Sequence, residues 1–302
     1  MKFVVPITIN DTNLTTNVVN EAVDWTAGTY ATGVQKVEGE LVYEVVATPN
    51  TTDQPSVGVA LAVPTWIVMG YANKWRMWRE GSDSVSTRTG SVGITCSVTP
   101  LSSAAVTTVG VLGVEALSVT VEMTDSIDGV VYDETKDVAD IGVPDWWSYF
   151  FTDYSRNRTL VFDGLPAYYG SGVTLAVTIN PASPTDQVEC GRVVIGRAID
   201  AGQSLQGVKS RNVTFGKKER DEFGNLTLVN YRTIRVIDYP VMIPKANVDS
   251  IQRKAAELAV IPTLFIGDNN MPETIVFGVF ENFDVIITGL FVVECSLQVE
   301  EY

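Results

Sequence analysis

The sequence predicts a mainly β chain with a small twisted-sheet module first, a β-sandwich in the middle and a β-rich C-terminal part carrying one α-helix at about 247–260. Three observations predict it. Val, Thr, Gly and Ser are abundant while charged residues make up only 19%, a balance that favours strands and turns. Apolar and polar residues alternate with a period of two through many segments. Those segments are short, and clusters of Gly, Pro, Asn and Asp separate them.

The elements follow in order. An N-terminal region over 1–80 contains a compact aromatic unit at about 20–72. Its stretch VDWTAGTYATGVQKVEGELVYEV runs from Val23 to Val45. The polar, Gly/Ser-rich stretch REGSDSVSTRTG then marks a boundary, and the sandwich occupies 81–197. In ALSVTVEM, Leu117, Val119, Val121 and Met123 share one face, while Ser118, Thr120 and Glu122 share the other. LAVTI, Leu175 to Ile179, repeats that pattern. VGITCSV, GVVYDET, TLVF and CGRVVIGRAI supply further strands. A second boundary falls in GRAIDAGQSLQG and opens a β-rich part over 198–302, either separate from the sandwich or continuous with it. There VTFGKKE and LTLVNYRTIRVI form a hairpin. Its charged tip, ERDEFGN, reads as a solvated loop or as a subunit-contact arm.

The helix is read from NVDSIQRKAAEL. Val248, Ile251, Ala255 and Leu258 make one stripe at spacings of three, four and three. Asn247 suits the N-cap and Asp249 the positive end of the helix dipole. The strand-like runs TIVFGVF and DVIITGLFVVECSLQV close the chain.

Charge and residue types exclude several functions. The formal charge is −15, which repels phosphate backbones and anionic lipid surfaces, so nucleic-acid binding is not expected. No apolar run is long enough to span a bilayer, and no membrane insertion is expected. The N-terminus MKFVVPITIN does not read as a signal peptide. There is no histidine, which removes the imidazole base of Ser-His-Asp and Cys-His catalysis and the usual zinc ligands. Cys96, Cys190 and Cys295 have no metal-ligand spacing and read as buried thiols of a chain folded in a reducing cytosol. No phosphate loop, dinucleotide fingerprint or nucleophile elbow occurs, so no metal and no cofactor are expected. Carboxylate pairs are the remaining catalytic option. Asp133 and Glu134 are strand neighbours that point to opposite faces, so an enzyme is not expected.

Two aromatic stretches carry the binding candidates. In DWWSYFFTDYSRNRTLVF, Trp146, Trp147 and Tyr149 either cover the core or anchor a protein partner, with Arg156 and Arg158 following. In the N-terminal unit the skeleton is W-x4-Y-x2-G-x9-Y on Trp25, Tyr30, Gly33 and Tyr43, followed by NTTDQPSVG and VPTW. This skeleton resembles the small carbohydrate-binding modules of the chitin-binding type, with Trp25 and Tyr30 one residue closer than in the commoner form. The resemblance implies a short twisted sheet. It makes Trp25, Tyr30 and Tyr43 core or platform residues and Trp66 a sugar-stacking residue. From the residues alone Trp66 reads equally as core or interface.

The order of the later segments carries a second resemblance. DWWSYFFTDYSRNRTLVFDGLPAY, VECGRVVIGRAIDAGQSLQG, KKERDEFGNLTLV, VDSIQRKAAELAVIPTLFIGDNN and the ending CSLQVEEY are similar to a family of virion proteins of tailed bacteriophages. That resemblance implies a structural protein of the neck, collar or tail, assembled in the host cytoplasm. Its expected partners are copies of itself and other virion proteins. Attachment to a host surface glycan is the alternative, and the two roles are compatible.

Overall fold

The computed structural model describes residues 1–79, 87–89, 92–99, 105–138, 146–151, 157–168, 170, 172–220, 226–269, 271–286 and 292–302. The chain is mainly β, built from antiparallel sheets with few helices. A ten-stranded sheet forms its spine, counted among the described residues. Along it run Thr159–Asp163, Thr108–Leu112, Arg192–Asp200, Lys2–Pro6, Thr263–Ile266, Ile275–Ile286, Val292–Glu301 and Leu226–Pro244. Gln203–Ser204 and Lys209–Arg220 both pair with Leu226–Pro244 at its far end.

The middle of the chain makes a sandwich. A five-stranded sheet, ordered Gly129–Asp137, Ser118–Asp125, Val173–Asn180, Ile94–Val98 and Leu14–Thr16, faces the start of the spine. Val119, Val121, Met123, Leu175, Val177 and Ile179 point inward and are buried, as their period-two pattern predicts. They share one core with Val109, Val111, Val193 and Ile195 of the spine. Leu117 departs from the pattern. It lies one residue before its strand and is exposed.

The spine continues past the sandwich. Strand Arg192–Asp200 pairs with Thr108–Leu112 through its first half and with Lys2–Pro6 through its second. A boundary between 197 and 198 would cut this strand, so the C-terminal third is continuous with the middle. The boundary near residue 80 lies outside the described residues. N-terminal Lys2–Pro6 belongs to the spine rather than to the first module, because Val4 pairs with Ala198 on one side and with Leu264 on the other.

The sheet also curls. Val4, Leu112, Val161, Val194, Leu264, Ile266, Ile275 and Phe277 meet on its concave face. A Cβ on Gly110 would lie 2.3 Å from Leu264 Cδ2, so any larger residue there would push that buried side chain aside. Lys2 Nζ pairs with the Asp163 carboxylate from a strand three places away, which ties the curl together. Thr108 Oγ1 donates to the same carboxylate at 3.0 Å.

The C-terminal helix spans Val248–Glu257. Ile251, Ala255 and Leu258 are buried, and Ile251 and Leu258 pack with Tyr239, Val241 and Phe265. Asn247 makes no side-chain cap. A 3-10 turn over Lys245–Asn247 leads into the helix and takes its place. A second helix, Asn73–Arg79, has no period long enough to be read from sequence. Its Asn73 and Lys74 amides bond Glu21 Oε2 at 2.8 Å and Asn20 Oδ1 at 3.1 Å, so distant side chains cap it. Trp75, Met77 and Trp78 enter the sandwich core. Arg79 reaches both Glu40 oxygens, at 2.7 and 2.6 Å, and the Ile9 carbonyl at 2.7 Å. That fork fastens the N-terminal module to the body.

The Asp163 pair sets a testable acid response. Burial alone would raise the Asp163 carboxyl, but hydrogen bonds from Lys2 and Thr108, with the Lys2 charge, hold it below its ordinary value. A depressed carboxyl stabilises the fold above its unfolded value, near pH 3.9, and the contribution disappears as pH falls through the folded value. Asp163→Asn is expected to cost about 1–3 kcal/mol at pH 7 in urea unfolding. The difference from the parent should shrink as the pH is taken down toward 3, near the ordinary carboxyl value. An equal difference at both pH values refutes the account.

Candidate functional site

Three places gather the residues that the sequence singles out. The first is the N-terminal module. Gln35–Glu38, Leu41–Val45 and Trp66–Tyr71 form a three-stranded sheet, and Tyr30–Ala31 pairs with Asn50–Thr51 beside it. Gly39, at φ +62°, makes the two-residue turn between the first two strands. Trp66 is 0% exposed and Tyr43 is buried with it, while Trp25 and Tyr30 pack partly buried against them. Trp66 Nε1 donates to the Asp53 carbonyl at 3.0 Å, and its ring meets Tyr30 edge-on at 5.8 Å. A Cβ on Gly58 would come within 2.4 Å of the indole.

Trp66 is therefore the core of this unit. A stacking platform must present a ring face to solvent, and Trp66 presents none. Fifty residues cannot assemble a large aliphatic core, so aromatics fill it. Tyr30 keeps its hydroxyl on Thr26, donating to the carbonyl at 2.5 Å, with Lys36 Nζ 5.1 Å from its ring centre. The Thr26 side-chain hydrogen bond lowers the Tyr30 pKa against a smaller desolvation effect. Burial raises that of Tyr43.

The second place is a cleft of about 330 Å³ between this module and the body. Trp25, Glu38 and Asp24 line one side, and Lys74, Trp75, Asp11 and Asn20 line the other. The Trp25 indole N–H is buried without a hydrogen-bond partner among the described residues. Lys74 Nζ pairs with Asp11 Oδ1 at 2.5 Å. Glu38 accepts from the Ser56 amide at 2.8 Å and from Gln54. Two of the three carboxylates, those of Asp11 and Glu38, are thus already engaged. Sequence reasoning found Trp25 but missed Asp11, Asn20 and Lys74, because they reach the cleft from elements distant in the chain.

The third place is the short helix Trp146–Phe151. Trp146, Trp147, Phe150 and Phe151 are 79%, 71%, 66% and 69% exposed. The rings pair along the helix, Trp146 with Phe150 at 6.4 Å and Trp147 with Phe151 at 4.4 Å. These four rings are exposed rather than laid over the core, while Leu160, Val161 and Phe162 at the end of the same stretch are buried. Tyr149 lies on the same helix. Arg158 pairs with the Glu115 carboxylate. Arg156 lies outside the described residues.

The three cysteines are buried and unpaired. Burial pushes the Cys96 thiol up to about 11, against a hydrogen bond shared with Thr16, and raises Cys190 and Cys295 as well. Among the described residues no group of Cys, Asp and Glu is placed to hold a metal ion, and no helix is long and apolar enough to cross a membrane. The chain matches no protein-family model, no curated protein and no solved structure.

A buried Trp66 makes a definite prediction. Trp66→Ala should lower stability by about 3–5 kcal/mol in urea unfolding, the range for an aromatic removed from a core. A variant as stable as the parent would remove Trp66 from the core.

Proposed function

We propose that this protein is a structural component of a tailed-bacteriophage virion, part of its neck, collar or tail. It works by contact with copies of itself and with neighbouring virion proteins, and it is assembled in the host cytoplasm. The observation that carries the reading is the exposed aromatic helix Trp146–Phe151. Large aromatics left in water form a sticky patch, and Trp and Tyr dominate the energetic centres of protein interfaces. The edge strand Trp66–Tyr71 adds exposed Ile67, Val68 and Met69. The resemblance of the segment order to that of virion proteins points the same way. In this reading the chain performs no catalysis and holds no cofactor.

The test is direct. Purified particles should contain the chain by mass spectrometry, in a symmetric ring or set of projections at the neck or tail by electron microscopy. A Trp146→Ser/Trp147→Ser double variant should fold normally yet enter particles at least about tenfold less, as expected when two central anchors are lost. Absence of the parent protein from particles overturns the proposal.

A second reading, attachment to a host surface glycan, is favoured by the cleft at Trp25. Its Trp25 ring and its mixture of carboxylates with Asn20 suit a polyhydroxylated ligand. On gels containing host polysaccharide the parent should be retarded and Trp25→Ala should not. Equal mobility of the two excludes this reading.

A further inference from the structure

The hairpin Lys209–Arg220 with Leu226–Pro244 outruns the sheet that carries it. Val292–Glu301 pairs with the second strand only from Val236 onward. Beyond that point Asn212–Arg220 and Leu226–Arg235 pair only with each other among the described residues. The free part reaches roughly 30 Å at about 3.4 Å per residue. A two-stranded ribbon alone is marginal in water. This one also exposes Phe215, Val229 and Tyr231, the last at a bulge opposite Phe215 and Gly216.

Its charge is opposite to that of the body. Residues 209–235 hold seven Lys or Arg against three Asp or Glu, a net +4. The chain totals −15, so the remainder carries −19. Register places Arg211, Val213 and Phe215 on one face of the arm, with Arg232 directly opposite Phe215. The same register continues into the sheet. There Asp238, Asp284, Glu294 and Glu300 share one face, opposite the helix-covered face of Cys295 and Leu297. Asp284 and Glu294 are exposed.

We propose that the basic, aromatic face of this arm docks on the acidic sheet face of a second copy of this chain. The arm cannot fold onto its own acidic face, because one continuous strand carries both and they look to the same side. Two arms repel each other by charge. Donor and acceptor are different surfaces, so the contact is head-to-tail, the kind that builds rings or open filaments. The inference rests on the assembly reading and names the occupant of one of its surfaces.

The experiment is sedimentation of the full chain at about 0.05 M and about 0.5 M salt, a range over which screening of exposed charges changes strongly. The parent should associate, more tightly at low salt. Arg211→Glu/Arg232→Glu and, separately, Asp284→Lys/Glu294→Lys should each weaken association at least about tenfold. Circular dichroism melts should confirm that both variants are folded. Mixed in equal amounts, the two variants should associate again, since a reversed arm then meets a reversed face. Two folded variants that associate like the parent overturn the arm proposal while leaving assembly through the aromatic helix intact. A mixture that stays monomeric overturns it too, as does a parent monomeric at every salt. Retardation of a DNA duplex by the parent, lost in the arm variant, would assign the arm to nucleic acid instead.

Discussion

The structure depends on the pairing of strand Arg192–Asp200 with two partners far away in the chain. Thr108–Leu112 takes one half and Lys2–Pro6 takes the other. Alternation along this one strand feeds three cores. Val193 and Ile195 enter the sandwich, Val194 enters the concave interior, and Ile199 packs against the helix-covered layer. Gly196 sits where both partners meet, and a Cβ there would lie 2.1 Å from the Val5 carbonyl. Closing such distant strands costs chain entropy before contacts repay it, which makes this pairing slow to form.

That constraint explains what is left exposed. The spine uses its middle strands twice, burying both faces, and spends its ends differently. At one end it closes the sandwich. At the other it runs out into the arm, where strands continue after their core has stopped. Among the described residues, those of the aromatic helix and the arm lie outside the four core clusters. Aromatics and ribbons that the chain does not bury for itself are the raw material of contacts with other chains.

Much of the fold was legible in sequence. Val119, Val121 and Met123 declared their strand by alternation, and Ile251, Ala255 and Leu258 declared their helix by a three-and-four spacing. Both signals are local, because backbone geometry repeats within a few residues. Helix Asn73–Arg79 was not legible, since seven residues hold too little periodicity and its caps, Asn20 and Glu21, come from far upstream. The aromatic skeleton of the N-terminal unit was read correctly as a cluster. Whether Trp66 faced core or solvent was not in the pattern, because a Trp satisfies both roles.

The sequence by itself determined the class of the protein: strand-rich, acidic, without histidine, with aromatics gathered in two stretches. These are properties of composition and short-range order. Only the tertiary structure decided that Lys2–Pro6 joins the C-terminal sheet, that Trp66 is enclosed while Trp146 and Trp147 are largely exposed, and that Asp11 and Lys74 meet Trp25 in one cleft. Such facts depend on which distant segments pair, and pairing is set by the summed burial of the whole chain rather than by any segment of it.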